Sequence, residues 1–377
     1  MATDKNSAHS DVLVVGGGLI GCSIAMRLAQ QKVRVRIVER GEPGAEASSA
    51  GAGMIAPQGE TIEVGEYFRF CATSRDLYPG FVREVEEISG QSVNFRRDGA
   101  LMVQLGGQGD LDAIFQGQRR AGLPLERITP DEARRRLPQL SAEISDALWI
   151  GGDYWLDNEL LARALAEACR KLGVNFETHT AAERLVTHDG RVEAVETASA
   201  ASRYSAGEFV LAAGAWSGEI ARSAGILLPT QPCRGQMIEF DGAASFPHAV
   251  RAGHYYLVPR SEGRVIAGST MEYAGFEKAV TGEGLLSILK GTSSIAPFLR
   301  TLHFRRTWAG LRPDTRDHRP ILGRGKLENL IFATGHFRNG ILLTPITAQV
   351  ISELFLLGSA SFPMEPYSPA RFSDHSG

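Results

Sequence analysis

Cysteine is scarce and scattered in this chain. Only Cys22, Cys71, Cys169 and Cys233 occur in 377 residues. They form no C-x-x-C pair, which argues against zinc, an iron–sulfur cluster or a disulfide framework and reads as buried thiols in a reducing compartment. No H-E-x-x-H motif is present, and no Ser-His-Asp arrangement can be proposed from spacing, so no metal and no hydrolytic centre is expected. Charge of one sign is lacking too. The formal net charge is −3 with acids and bases interspersed, without the basic footprint of a nucleic-acid binder, so small partners are expected. Long apolar runs are missing. The most apolar late stretch, 341 to 357, is broken by Thr344, Pro345, Thr347, Gln349, Ser352 and Glu353 and falls short of a membrane span. The polar residues 1 to 10 lack a signal-peptide core and read as a frayed tail. A cytoplasmic protein without membrane or nucleic-acid partners is the simplest expectation, and neither repeats nor low-complexity blocks appear.

What is abundant is glycine, and its placement organises the chain. An apolar run, Val12-Leu13-Val14-Val15, meets Gly16-Gly17-Gly18-Leu19-Ile20-Gly21, then a helical segment, then a second apolar run from Val33 to Val38 that ends at Glu39. Gly16, Gly18 and Gly21 have the G-x-G-x-x-G spacing of a dinucleotide turn, which permits a tight bend, close approach to a pyrophosphate and helix–strand packing. A helix N-terminus adds unpaired N–H groups and partial positive charge. Glu39, at the end of the next strand, suits ribose hydroxyls and repels a 2′-phosphate, which favours FAD or NAD over NADP.

The small-residue stretch 44 to 54 is either a flexible linker or a loop wrapping the cofactor with backbone N–H and Ser hydroxyl groups. A long helix, or two, is expected over 60 to 90, with Phe68, Leu77, Phe81, Val85 and Ile88 near one face. Val93 to Leu105 reads as a hairpin about Asp98-Gly99 that opens a second sheet. Gly106-Gly107-Gln108-Gly109 lacks a surrounding βαβ unit and reads as a plain turn. Asn158 to Leu172 is an amphipathic helix with Asn158 as N-cap and Gly173 as stop. A second hairpin is expected about Asp189-Gly190, then a buried strand from Phe209 to Ser217. Short strands at 236–240, 255–259 and 264–268 suggest an antiparallel sheet. Helix returns over 282 to 295, and Leu330 to Thr334 and a helix after Asn339 rejoin the first domain.

Two arginines in tight apolar settings stand out, in Trp308-Ala309-Gly310-Leu311-Arg312-Pro313 and Gly335-His336-Phe337-Arg338-Asn339-Gly340. A planar, permanently charged guanidinium suits bidentate capture of a carboxylate. Alternatively, each arginine pairs with an internal Asp or Glu. Tyr256 could add a hydroxyl to the same site or be a core tyrosine.

Gly16-x-Gly18-x-x-Gly21 with Glu39, the loop Ser48-Ser49-Ala50-Gly51-Ala52-Gly53-Met54, the strand Val210 to Ser217 and the two arginine motifs together resemble the D-amino acid oxidase family of FAD enzymes. The likeness runs from about Asp11 to Leu357 and is closest to the glycine oxidase (ThiO-type) branch of thiamine biosynthesis. It implies an α/β fold in which a Rossmann-like FAD-binding domain (11–90, 146–231 and 304–358) is interleaved with an antiparallel β-sheet substrate domain carrying helices (91–145 and 232–303). By resemblance, Gly16, Gly17, Gly18, Leu19, Ile20, Gly21, Glu39 and Arg40 would hold the pyrophosphate and adenosine ribose. Ala47, Ser48, Ser49, Gly51, Ala52, Gly53 and Met54 would lie along the flavin, and Ala182 would touch adenine through its backbone. Gly214, Trp216 and Gly310 would also face the cofactor. Gly335, His336, Phe337, Arg338, Asn339, Gly340, Ile341 and Leu342 would bring a helix N-terminus to the flavin's pyrimidine end.

The resemblance further implies that Arg312 grips a substrate carboxylate, helped by Tyr256, with Met271, His254 and Arg338 around the pocket and Ala56 and Glu60 near its entrance. The stretch Arg312 to Arg319 contains no cysteine for a covalent flavin, so FAD is expected to be non-covalent. The implied reaction is FAD-dependent oxidative deamination of glycine, another small amino acid or an N-substituted glycine. Its products would be the 2-oxo acid, ammonia or an amine, and hydrogen peroxide, with dioxygen as co-substrate. A quinone-linked dehydrogenase would share every motif, and an oxidase of larger D-amino acids or N-carboxymethyl amines is open because pocket volume is not visible in the sequence; a non-catalytic flavoprotein or NAD-binding partner module has no need for the paired arginine motifs. A homo-oligomer is compatible with the family, although no residue tests it.

Overall fold

An unbroken run of β-branched and leucine side chains suits a strand covered on both faces. The first strand, β1 (Ser10–Val15), is such a strand, with Val12, Leu13 and Val14 fully buried. At its end Gly16 has φ +106°, and a Cβ there would sit 2.5 Å from the Ala212 carbonyl oxygen, so only glycine makes this turn. Helix α1 (Leu19–Gln30) follows, and β2 (Val35–Val38) returns parallel to β1. This computed structural model describes residues 10–60, 64–106, 111–198, 202–243 and 246–375.

β1 lies within a six-stranded sheet ordered Ile321–Arg324, Leu330–Thr334, Ala206–Leu211, β1, β2 and Asn175–Glu177. Neighbours run parallel except the first pair. The connections leave β1 toward opposite sides of the sheet, so a crevice opens beyond its C-terminal end, where open α/β sheets bind ligands. One face is covered by α1 and the helices Glu66–Ser89, Asn158–Lys171 and Thr344–Leu357. The other packs on a three-stranded sheet, Arg203–Tyr204, Arg191–Thr197 and Ala182–His188.

The hairpin about Asp189-Gly190 forms as expected, with both residues at positive φ, although its first strand begins at Ala182 rather than Leu185. The long helix of the 60–90 region is present, preceded by a short one at Pro57–Glu60. Asn158 is not the N-cap of its helix. Asp157 is, its carboxylate accepting from the Glu159 and Leu160 N–H groups, which leaves the Asn158 amide free for another task.

The second sheet has eight strands, ordered His303–Thr315, Thr230–Asp241, Val265–Gly268, Tyr255–Pro259, Ala249–Ala252, Ala100–Leu105, Ile144–Ile150 and Glu126–Ile128. It is antiparallel apart from one parallel pair, Ala249–Ala252 with Ala100–Leu105. Helix Gly282–Ile295 packs on it. Two expectations are corrected here. No hairpin forms about Asp98-Gly99: Arg96 makes only an isolated bridge to Trp155, and Ala100–Leu105 pairs with Ile144–Ile150 instead. The back of Gly99 is filled by the Trp149 indole, 2.5 Å from where a Cβ would stand, so this glycine admits an aromatic ring rather than folding one strand onto the next. The segments 304–358 and 146–231 do not belong wholly with the nucleotide sheet, because His303–Thr315 pairs along its length with Thr230–Asp241 and Ile144–Ile150 sits in the same sheet. The proposed turn at 107–109 and the N-terminal tail to residue 9 lie outside the described residues.

Candidate active site

The glycine turn is held from below. Glu39, 8% exposed, accepts from the Gly17 N–H at 2.7 Å and, with its other oxygen, from the Gly41 N–H at 2.8 Å. Its carboxylate therefore shapes the loop as well as facing the cavity. Gly21 is fixed by packing, since a Cβ there would meet the Gly16 carbonyl oxygen at 1.9 Å. The N-cap of α1 is Gly18, which offers no side-chain acceptor, and Ser48 Oγ takes the Leu19 N–H at 2.9 Å. Leu19 and Ile20 of that first turn line a cavity with about 1620 Å³ of empty space, its open mouth included.

Gly16, Gly18, Leu19, Ile20, Glu39, Arg40, Ala47, Ser48, Gly51, Ala182, Gly214, Trp216, Arg312, His336, Phe337, Arg338, Gly340 and Ile341 all line this cavity. Arg40 lies over the Trp216 ring at 4.2 Å. His336 is buried and bonded to Thr347 Oγ1 at 3.0 Å, and burial lowers its pKa to about 3, so it is a neutral ring at any working pH. Gly17, Gly21, Ser49 and Gly335 are not in the lining; they shape turns behind it. The helix expected to start after Asn339 begins at Thr344, and residues 337–343 reach the cavity as a 3-10 helix and a following turn. Ser74 Oγ and Tyr78 Oη hold the Leu342 and Ile341 carbonyls of that turn.

A second cavity adjoins the first, lined by Ala47, Gly51, Ala52, Gly53, Met54, Ala56, Glu60, Gly235, Tyr256, Gly310, Arg312, Arg338, Asn339, Ile341 and Leu342, among others. Arg312, Arg338, Ala47, Gly51 and Ile341 are common to both. On strand His303–Thr315 the period of two places Trp308, Gly310 and Arg312 on one face. Gly310 allows the loop to come close, because a Cβ there would be 2.4 Å from Ala50 Cβ. Gly235, paired with Gly310 across the strands, makes room for the guanidinium, whose Nη2 would lie 2.2 Å from an added Cβ.

Arg312 donates through Nη1 to the Thr270 carbonyl at 3.1 Å and through Nη2 to Ser269 Oγ at 2.8 Å. It is half-buried and, among the described residues, has no carboxylate partner. Arg338 differs: it pairs with Glu60 at 2.8 Å, and Arg251 reaches the same carboxylate at 2.8 Å. Burial pushes the Glu60 pKa up, but Arg251, Arg338 and Arg312 outweigh it and hold the carboxyl below its ordinary value. The internal-pair alternative thus describes Arg338, not Arg312. Tyr256 is buried, with its hydroxyl against Met237 Sδ at 3.4 Å. His254 and Met271 line neither cavity; His254 is exposed with its ring against Tyr255, and Met271 is 54% exposed.

Sequence reasoning missed Gly235, Ser269 and Thr270, which position Arg312, and Arg251, which shares Glu60. An isolated glycine inside a strand run is itself a sign of close approach, so Gly235 carried a readable signal. It also missed Asn158 and Arg260. Asn158 Nδ2 donates to the Ser48 and Ser49 carbonyls at 2.8 and 2.9 Å, and buried Arg260 donates to the Ala52 carbonyl at 2.9 Å and to Asn158 Oδ1 at 2.8 Å. Trp308 Nε1 holds the Ala50 carbonyl at 3.1 Å. The stretch 44 to 54 is therefore a clamped wall, not a linker. A glycine turn opening on a helix N-terminus, a backbone wall and a free guanidinium fit a dinucleotide whose reactive ring lies between wall and arginine.

Among the described residues no group of three or more His, Cys, Asp or Glu could hold a metal, and no helix is long and apolar enough to cross a membrane. The FAD dependent oxidoreductase (DAO) family matches residues 11–354. Glycine oxidase of Pseudomonas aeruginosa is 34% identical over 363 residues, covering 95% of this chain and 98% of the relative. The bifunctional protein ThiO/ThiG of a Synechocystis species is 32% identical over 96% of this chain, which spans only about half, 54%, of that longer relative. The crystal structure of glycine oxidase from Geobacillus kaustophilus superposes with a TM-score of 0.92 at 29% identity, covering 97% of this chain and 99% of that one.

Proposed function

The chain belongs to the DAO family of FAD-dependent oxidoreductases, and from that premise we propose that it is an enzyme of amino acid oxidation whose substrate is a small α-amino acid, glycine first, deaminated to the 2-oxo acid and ammonia. The observation that carries this reading is the half-buried Arg312 guanidinium, without a carboxylate partner among the described residues, at the junction of the two cavities. A cation so placed calls for an anion from outside the chain, and its planar fork matches a carboxylate.

FAD, when bound, accepts the two electrons and the Cα hydrogen and passes the electrons to dioxygen. The chain's own residues bind and orient. Arg312 takes the carboxylate, fixed against Ser269 and Thr270, while Tyr256 and the Ala52–Met54 wall limit where the amine and Cα can lie. Glu60 pairs with both Arg338 and Arg251, which leaves Arg312 as the guanidinium of this group without a carboxylate partner among the described residues. With the substrate amine neutral, no side-chain base is required, and positioning supplies most of the rate. Water then hydrolyses the released imine. None of the four buried cysteines lines either cavity, which supports a non-covalent cofactor.

The test is anaerobic titration of the purified holoprotein with glycine, sarcosine and D-alanine while flavin absorbance is followed, then re-oxidation by dioxygen or a quinone-like dye. Bleaching by glycine at the lowest concentration and recovery in air with peroxide release are expected. Bleaching only by bulky or N-carboxymethyl amines would reassign the substrate, and recovery only with the dye would make the protein a dehydrogenase.

A further inference from the structure

The wall facing the reactive ring has an unusual hydrogen-bond distribution. Its carbonyls are engaged by protein groups behind it: Ser48 and Ser49 by Asn158, Ala50 by Trp308, Ala52 by Arg260 and Gly53 by the Leu156 N–H at 2.9 Å. The N–H groups of Ala52 and Gly53, by contrast, have no protein acceptor among the described residues, and both residues line the cavity. In a trans peptide the N–H points opposite to the C=O. Anchoring the Ala52 carbonyl behind the wall therefore turns the Gly53 N–H group toward the cavity.

Arg260 is the anchor with a charge. It is 8% exposed, its Nη2 bonds both Ala52 O and Asn158 Oδ1, and its nearest carboxylate, Asp157, is 3.8 Å away and shared with Arg264. A cation on a carbonyl oxygen withdraws electron density through the peptide and makes the N–H of the same unit a stronger donor. The Ala52–Gly53 peptide is that unit. The added Cβ test shows why residue 53 is glycine: it would strike the Leu156 carbonyl oxygen at 2.0 Å, so the wall cannot move back to relax the arrangement.

We propose that Arg260, with Asn158, is a positioning residue that polarises the Ala52–Gly53 peptide so that its N–H stabilises the negative charge gained by the flavin ring on reduction. This rests on FAD occupying the cavity. The predicted effect is on how readily the bound flavin is reduced, not on how tightly the substrate carboxylate is held, because Arg312 is fixed by Ser269 and Thr270 and not by Arg260 or Asn158.

The experiment compares wild type, Arg260→Met and Arg260→Lys as holoproteins. Flavin content is measured first, then the equilibrium of two-electron reduction against a reference dye, then affinity for acetate as a carboxylate probe. Arg260→Met should shift the reduction equilibrium at least tenfold toward oxidised flavin, about 30 mV for two electrons. Arg260→Lys, which keeps the charge, should recover most of this, and acetate affinity should stay within threefold. An unshifted equilibrium in flavin-loaded Arg260→Met overturns the proposal and leaves Arg260 a packing residue. Should that variant not fold, Asn158→Asp places a negative charge against the Ser48 and Ser49 carbonyls and should shift the equilibrium in the same direction; an unshifted value there overturns the proposal equally. A wild-type protein that binds no flavin would instead sink the FAD reading itself.

Discussion

Replacing Arg312 with alanine tests the site most directly. In the folded protein two of the five guanidinium donors are engaged by Thr270 O and Ser269 Oγ, which fixes the group and leaves donors for a ligand. Truncating one partner of a buried, hydrogen-bonded charge pair costs about 2–5 kcal/mol. Arg312 is half-buried rather than enclosed, so the lower part of that range applies, about 2–3 kcal/mol, or roughly a 30- to 150-fold rise in KM for glycine. Flavin content should change little, because the glycine turn and the Ala47–Met54 wall remain. Arg312→Lys should fall between, since a point charge replaces a planar fork. The assay is steady-state peroxide production, paired with acetate displacement monitored through flavin absorbance. A KM within threefold of wild type in a flavin-loaded Arg312→Ala protein would refute the assignment of this guanidinium as the carboxylate anchor.

Three further outcomes are expected. Gly235→Ala places a methyl group where the Arg312 Nη atoms now lie, 2.2 Å from an ideal Cβ; KM should rise with flavin content intact, and equal loss of both would indicate general misfolding. Gly16→Ala meets the Ala212 carbonyl at 2.5 Å and a φ of +106°; the protein should purify largely colourless, and a fully loaded variant would contradict the reading of this turn. Asp153 is fully buried, and burial lifts its carboxyl to about 7 against the opposing pull of the Gly59 and Gln58 N–H groups and Arg75. The unfolded chain releases that proton near 3.8, so between these values the folded state holds a proton the unfolded state has lost. This group's contribution to stability therefore falls as pH rises through that window. Asp153→Asn should flatten the dependence of Tm on pH there, and an unchanged slope would remove Asp153 as its source.

The legible parts of the sequence were those in which local pattern and tertiary demand agree. The run 12–15, the glycine spacing and the second run ending at Glu39 specify one βαβ unit because each element needs only its neighbours. The two Asp-Gly pairs show the limit. At Asp189-Gly190 the flanking segments pair with each other, whereas at Gly99 a tryptophan from a strand some fifty residues on takes the space behind the turn. A turn dipeptide reports a bend, not the partner. Arg312 was visible by its apolar glycine-rich setting, but its freedom from Asp and Glu was a tertiary fact. Asn158 and Arg260 are separated by 102 positions and meet only in the fold, and each reads alone as an ordinary polar residue. His254 and Met271 entered by likeness to a family, and their places outside both cavities follow from strand and loop geometry that likeness does not supply.

The long strand His303–Thr315 belongs to the second sheet, yet its Trp308 and Gly310 touch the wall beside the first. With backbone and side chain in contact across that junction, swinging the two halves apart would break the Trp308–Ala50 hydrogen bond and part Gly310 from Ala50. Beside that junction the Glu60 carboxylate ties Arg251, on the second sheet, to Arg338, on the turn that reaches the first cavity, so one side chain links both halves. A change at position 60 would therefore be felt on both sheets at once.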